Sequence, residues 1–282
     1  MFNFLRSRKE KEKALRHKVQ EVIRANKPEK LRMLLSEGKA QKLIRKTGGL
    51  VLHRCLFSAI NFSHFQCIEE LLKAGVKPCY ERRRNAVIHT IFKEQVSVLR
   101  LLLEYGANPD VDLDMTQPLY YAASFADLTC FRMLLLFGAD PDYNCSHPEF
   151  LSSAPDVSSI LGMCLANNYE VQFVKLLIQF GANMYLPDIQ RTRIQVDNDA
   201  AKLLDREIVH PRSLMSQCRI TIRRLMKQVG KLGLIDQLEV PYVLLRYLQY
   251  HDELDYKEKL PRHYQARYPV FHCRDLCLIS NQ

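Results

Sequence analysis

The 282-residue chain is notable first for the chemistry it lacks. It has no G-x-x-x-x-G-K-[ST] loop to cradle a phosphate, no G-x-S-x-G nucleophile turn and no H-E-x-x-H pair for zinc. Nothing in it assembles a catalytic constellation, so no enzyme is expected. No apolar run approaches the roughly 18 residues that a membrane span needs. The opening MFNFLRSRKEKEKALRHK turns charged at Arg6 without a secretory apolar core, and Phe2 excludes N-myristoylation. An intracellular setting, cytoplasmic or nuclear, is expected. The 9 cysteines are scattered, odd in number and without a C-x-x-C, which reads as buried small hydrophobes in a reducing compartment rather than a disulfide framework. No metal or cofactor is expected either. His263, His272, Cys273 and Cys277 have an H-C-x-x-x-C spacing that fits no compact zinc module. Asp110, Asp112 and Asp114 alternate like a calcium loop but lack its glycine and distal glutamate, and read as a solvated turn. His53, His64 and His89 read as core or turn residues.

What is present is apolar content of 47%, enough for a packed core, and a formal charge of +10. Residues 1–32 hold eleven Lys/Arg and four Glu, a net +7 of that total. Leu15, Val19, Val22 and Ile23 give this segment one apolar edge, so it is expected to be a charged helix capping the fold behind it. Aromatic residues do not interleave its charges after Phe4, so neither nucleic acid nor a membrane surface is the expected partner.

Five segments share an ending: LLSEG at 34–38, LLKAG at 71–75, LLEYG at 102–106, LLLFG at 134–138 and LIQFG at 177–181. Their glycines recur at intervals near 33 residues, the mark of stacked units. In each ending two adjacent apolar residues lie on a helix's inner side, and the glycine is expected to turn left-handed and stop the helix. Another apolar segment of helical length precedes each one, such as QPLYYAASFA at 117–126. Each unit is therefore expected to be helix–turn–helix–loop.

These residues resemble the ankyrin repeat. Gln117-Pro118-Leu119-Tyr120 stands where that family has T-P-L-H, and Ala122-Ala123 where its paired small residues belong. Ala59 and Ile88-His89 carry weaker matches in the preceding units, and the last unit holds an insertion at 143–159. The resemblance covers about residues 15–187 and implies an all-α solenoid of about five repeats that presents loops and inner helices to a protein partner. Arg82, Arg83 and Arg84, Asp110, Asp112 and Asp114, and the 143–159 insertion are the candidate contacts for an unidentified protein substrate.

The stretch PRSLMSQCRITIRRLM, from Pro211 to Met226, opens like a helix capped by Ser213. Leu214, Cys218, Ile222, Leu225 and Val229 fall within an arc of roughly 80° at about 100° per residue. Arg219, Arg223, Arg224 and Lys227 occupy the other side. Leu214, Cys218 and Ile222 match the L-x-x-x-C-x-x-x-[A/I] pattern of the BC box, the Elongin-binding half of a SOCS box. Leu238-Glu239-Val240-Pro241 follows where that box has L-P-Φ-P, with Glu239 in place of a proline, and Leu244, Tyr247 and Leu248 reproduce its closing L-x-x-Y-L. Behind ankyrin repeats, this box makes the chain resemble the ankyrin repeat and SOCS box family.

That resemblance implies a non-catalytic substrate receptor of a cullin–RING ubiquitin ligase. Leu214, Cys218, Ile222 and Leu225 would bind Elongin C, with Elongin B joined through it. Leu238, Val240 and Pro241 would select cullin-5 and its RING partner. The alternative is an ankyrin interaction scaffold with no ligase role. The expected organisation is a basic segment at 1–14, repeats at 15–187, a linker at 188–210, the box at 211–250, and a tail at 251–282 without an assigned role.

Overall fold

The computed structural model describes residues 2–47, 49–78, 85–110, 117–143, 159–210 and 212–251. Among the described residues every regular element is helical. Residues Met1–Glu239 form one compact unit and Val240–Gln282 a second.

The first unit is a stack of helix pairs. They are α1 (Phe2–Arg24) with α2 (Pro28–Ser36), α4 (His53–Asn61) with α5 (Phe65–Lys73), α6 (Ala86–Phe92) with α7 (Val96–Glu104), α8 (Pro118–Ser124) with α9 (Leu128–Leu136), and α10 (Ile160–Ala166) with α11 (Val171–Gln179). The first helix of each pair packs on the first helix of the next, and the second on the second. This gives two parallel layers and one continuous core running from Val19 to Leu204. Small residues make the approach close: Ala122 and Ala123 of α8 are both 0% exposed, beside the equally buried Leu119. Phe131 of α9 and Phe173 of α11 meet edge to face at 5.0 Å, locking neighbouring second helices together.

The helices begin where short polar side chains can satisfy free N–H groups. Asn85 Oδ1 accepts from Val87 N–H at 2.8 Å, Asp127 Oδ1 from Cys130 N–H at 2.9 Å, and Ser159 Oγ from Gly162 N–H at 3.0 Å. They end as anticipated at four of the five glycines, with φ of 90° at Gly75, 82° at Gly106, 92° at Gly138 and 95° at Gly181. Behind each, an N–H reaches back across the turn, as from Ala107 to Leu102 O at 2.9 Å, closing a Schellman motif. Gly38 departs from the expectation. It opens α3 (Gly38–Lys46), an added helix that continues through a 3₁₀ turn at Leu50–Leu52 before α4. The first interval is longer because this helix is inserted in it.

A second series of left-handed residues joins the two helices within each pair: Asn26, Ser63, Glu94, Ala126 and Asn168, with φ between 46° and 57°. Each is followed by the same back-bond, from Lys27 to Val22, His64 to Ala59, Gln95 to Thr90, Asp127 to Ala122 and Tyr169 to Cys164. Five different contexts built on four residue types share one conformation that costs about 1–2 kcal/mol without glycine, so the packing of the paired helices holds it.

The N-terminal segment caps the stack as expected, with Val19 and Ile23 both 0% exposed under α4 and α2. His53 is buried, His64 Nδ1 lies 2.8 Å from Ile23 O, and His89 Nε2 lies 2.6 Å from Asn61 Oδ1, so all three histidines serve packing or turns. Cys55, Cys67, Cys130 and Cys164 are buried free thiols, with burial pushing Cys55 and Cys164 up to about 12.

The stretch 188–210, anticipated as a linker, is instead a sixth helix pair, α12 (Pro187–Gln195) and α13 (Asp199–Val209). These pack on α10 and α11 in the same layered order, burying Ile189, Ala200, Ala201 and Leu204. Asp188 Oδ2 clamps the joint, accepting from Ser159 N–H at 2.8 Å and Ser159 Oγ–H at 2.6 Å. This pair has polar residues on its outer side and lacks the glycine ending that marks the other repeats in the sequence.

A candidate partner-binding helix with one face docked

Loops between repeats form a ladder that prepares a landing surface. Asp110 Oδ1 accepts from Asp140 N–H at 2.8 Å, and the Asp142 carboxylate accepts from Asn183 N–H at 2.9 Å. Each of these loops follows a helix that ends with unsatisfied carbonyls and the negative pole of its dipole.

Helix α14 (Leu214–Gln228), capped by Ser213 Oγ, lays its basic side on those helix ends. Arg223 Nη2 donates to Leu136 O at the end of α9, and its guanidinium carbon lies 5.8 Å from the centre of the Phe180 ring. Arg224 Nη2 donates to Gly181 O at 2.9 Å, and Arg212 Nη2 to Ala182 O at 2.7 Å. Lys227 Nζ pairs with Asp110 Oδ2. The repeat-ending glycines permit this approach. A Cβ on Gly181 would stand 2.8 Å from Ile220 Cγ2, and one on Gly138 would stand 2.4 Å from Leu232 Cδ2 in the following 3₁₀ segment (Leu232–Gln237). Arg219, Ile220 and Arg223 are buried at 3%, 7% and 8% exposure.

The opposite side of α14 faces solvent. Leu214 is 75% exposed, Leu225 56% and Val229 66%; Ile222 is 36% exposed, and Cys218 is an exposed free thiol. The four residues read as an Elongin site therefore share one open face. An apolar stripe on a helix whose other face is fixed is unusual, because such a stripe normally turns inward.

Burial shapes the electrostatics of the landing surface. It pushes the Asp110 carboxyl up from its ordinary value, with Lys227 and the Asp140 N–H acting against it. Asp142 is pushed up to about 6, again chiefly by burial, with the Asn183 N–H bond opposing. Burial, then the nearby Arg224, lowers Arg212, with Asp142 opposing.

Leu238 follows the 3₁₀ segment with φ −71° and ψ 129° and is half-buried. In the second unit, Val240 is 37% exposed, and Pro241 is exposed and caps α15 (Tyr242–Leu248). Arg82, Arg83, Arg84, Asp112, Asp114 and residues 144–158 of the insertion lie outside the described residues. Asp110 does not serve as an open contact: it is 6% exposed and both its oxygens are engaged within the chain. The anchors Arg223, Arg224 and Lys227 were legible as part of a basic face and Arg212 was not, and nothing in the spacing named helix-end carbonyls as acceptors for the arginines or Asp110 as the partner of Lys227.

The fold and this half-docked helix define a helical-repeat protein whose repeats are followed by a helix with an open apolar face. Comparison with known families agrees: ankyrin repeats, in 3 copies, match residues 52–145, and the SOCS box matches residues 210–249. The chain is 38% identical over 164 residues to Ankyrin repeat and SOCS box protein 12 of Mus musculus, covering 55% of this chain and 53% of that protein. Over 133 residues it is 38% identical to Ankyrin repeat and SOCS box protein 12 of Homo sapiens, covering 47% and 43%. It is 31% identical over 143 residues to Ankyrin repeat and SOCS box protein 1 of Mus musculus, covering 47% and 42%. The chain carries ankyrin repeats and a SOCS box, and the resemblance drawn from its sequence is borne out. The chain spans about half the length of the curated relatives it matches.

Proposed function

We propose that the protein is a substrate-recognition subunit of a cullin–RING ubiquitin ligase, joined through its SOCS box to Elongin C and Elongin B and through them to cullin-5 and its RING partner. It contributes no catalytic group; its repeats hold the target while the partners transfer ubiquitin. The observation that carries this reading is the solvent-facing stripe Leu214, Cys218, Ile222 and Leu225 on a helix already anchored by its basic side. Burying Leu- and Ile-sized side chains at roughly 1.5–3 kcal/mol each supplies enough free energy to anchor a partner on one short helix.

Purified full-length chain tests this by capture of the Elongin B/C dimer. Leu214 and Leu225 are both mostly exposed, so Leu214→Ser with Leu225→Ser is expected to leave the fold intact and weaken capture by at least about a hundredfold. Absence of capture by the wild type, or full capture by the double variant, overturns the reading. A second reading, an ankyrin scaffold closed by its last helices, is favoured by the docking of Arg219, Ile220 and Arg223, and the same experiment separates the two.

For cullin-5 the proposal gives Leu238, Val240 and Pro241 the apolar contacts. Glu239 occupies a position that suits proline: the preceding residue is extended, and among the described residues its N–H donates no backbone hydrogen bond. Glu239→Pro is therefore expected to tighten cullin binding by the Elongin-bound protein about two- to fivefold, read by calorimetry. Absence of cullin binding by both wild type and variant would exclude the cullin-5 assignment.

A further inference from the structure

Three phenylalanines lie where the first helices of consecutive repeats end, Phe62 and Phe125 directly before the left-handed residue of the turn and Phe92 one residue earlier. Phe62, Phe92 and Phe125 stand at the C-terminal ends of α4, α6 and α8, and are 50%, 51% and 52% exposed. The core does not need them, and leaving three large rings in water forgoes the burial that would stabilise the chain. Phe92 meets Phe125 edge to face, with centroids 5.3 Å apart at 69°, and Tyr121 tilts against Phe92 at 5.0 Å.

Beside these rings runs a groove of about 430 Å³ lined by Ile91, Phe92, Glu94, Val96, Phe125 and Asp127. Two of its six lining residues are carboxylates, on a chain whose formal charge is +10. The Asp127 carboxylate caps α9 through Cys130 N–H, and neither it nor Glu94 forms an ion pair among the described residues. The two fields overlap at one point. The Cys130 thiol is pushed up by burial, then by the Asp127 hydrogen bond and charge, and then by the charge of Glu94. The left-handed Glu94, φ 54°, lies in the turn between α6 and α7, and Asp127 in the equivalent turn of the next repeat.

Aromatic faces and unpaired carboxylates favour the same ligand, a cation with a flat apolar surface. We propose that this groove binds an arginine side chain of a protein partner, stacked across Phe92 and Phe125 with its guanidinium toward Glu94 and Asp127. Arginine fits better than lysine because its planar, weakly hydrated head stacks on rings while its fork of donors meets carboxylates. The inference rests on the reading of the repeats as the target-binding surface and names what they recognise, a basic segment. It does not depend on Elongin.

The test is an NMR titration of the full chain, methyl-labelled at Ile and Val, with acetyl-Gly-Arg-Gly-amide and with the same peptide carrying citrulline, which keeps the shape and removes the charge. The arginine peptide is expected to shift the Ile91 and Val96 methyls saturably, and the citrulline peptide to bind at least about threefold more weakly. Phe92→Ala and Glu94→Gln, both at exposed positions, are each expected to weaken the arginine peptide about two- to fivefold. Equal shifts by both peptides, or no saturable shift at about 10 mM, where millimolar affinity would be evident, overturns the proposal. Elongin B/C capture by the same wild-type sample reports separately on the ligase reading. Intact capture with no arginine binding overturns the groove alone.

Discussion

Two adjacent residues of α14 are expected to behave oppositely when truncated. Arg223 is 8% exposed and donates to Leu136 O, whereas Ile222 is 36% exposed on the open stripe. Arg223→Ala removes a hydrogen bond from a charged donor, worth about 1.5–3 kcal/mol, and leaves a helix-end carbonyl without that partner. It also removes the contact with the Phe180 ring, about 0.5–1 kcal/mol. Together the loss is about 2–4 kcal/mol, borne almost wholly by the docking of α14. The effect should therefore be local. Amide hydrogen exchange across 214–228 is expected to lose at least about thirtyfold in protection, while the amides of α4–α9 remain unchanged. Ile222→Ala should leave exchange within about threefold of wild type and lower Elongin capture instead. The reasoning fails if Arg223→Ala keeps α14 protected, or if protection collapses uniformly through the repeats, because either result means the basic face is not what holds the helix.

Asp142 makes stability fall as pH rises. Its carboxyl is raised in the folded chain from an ordinary 3.8 to about 6, so the folded state binds the proton more tightly than the unfolded state. That contribution is fully present below about pH 4 and is lost through pH 6, a span worth roughly 2–3 kcal/mol. Asp142→Asn keeps an acceptor for Asn183 N–H and should flatten the urea-midpoint profile between those limits; parallel profiles would refute the assignment. Glycine substitutions should divide by location. Gly75→Ala, with nothing within 4 Å of the added Cβ, is expected to cost only the left-handed conformation, about 1–2 kcal/mol, and to leave α14 protected. Gly181→Ala, facing Ile220 at 2.8 Å, is expected to cost more and to raise exchange in α14 as well. Equal thermal shifts from the two would show that α14 does not press on that glycine.

Local chemistry was sufficient for the repeat architecture. A glycine that must turn left-handed, preceded by two apolar helical residues, leaves a mark on every unit that uses it, so the ends of α5, α7, α9 and α11 were readable. The apolar stripe of α14 was readable for the same reason: one face of a helix is a matter of spacing alone. The paired turn within each repeat was not, because Asn26, Ser63, Glu94, Ala126 and Asn168 have no shared chemistry and are held left-handed by the helices on either side. Gly38 carried the same sequence mark yet starts a helix, and the polar pair α12–α13 carried no mark and still joins the stack. The tertiary structure alone decided which side of α14 is docked. The carbonyls its arginines reach lie at the ends of α9 and α11, as much as 87 residues away in the chain at the Arg223–Leu136 bond. An arginine's spacing shows that it lies on a polar face; only the folded repeats bring unsatisfied carbonyls to meet it, and so leave the apolar stripe facing outward.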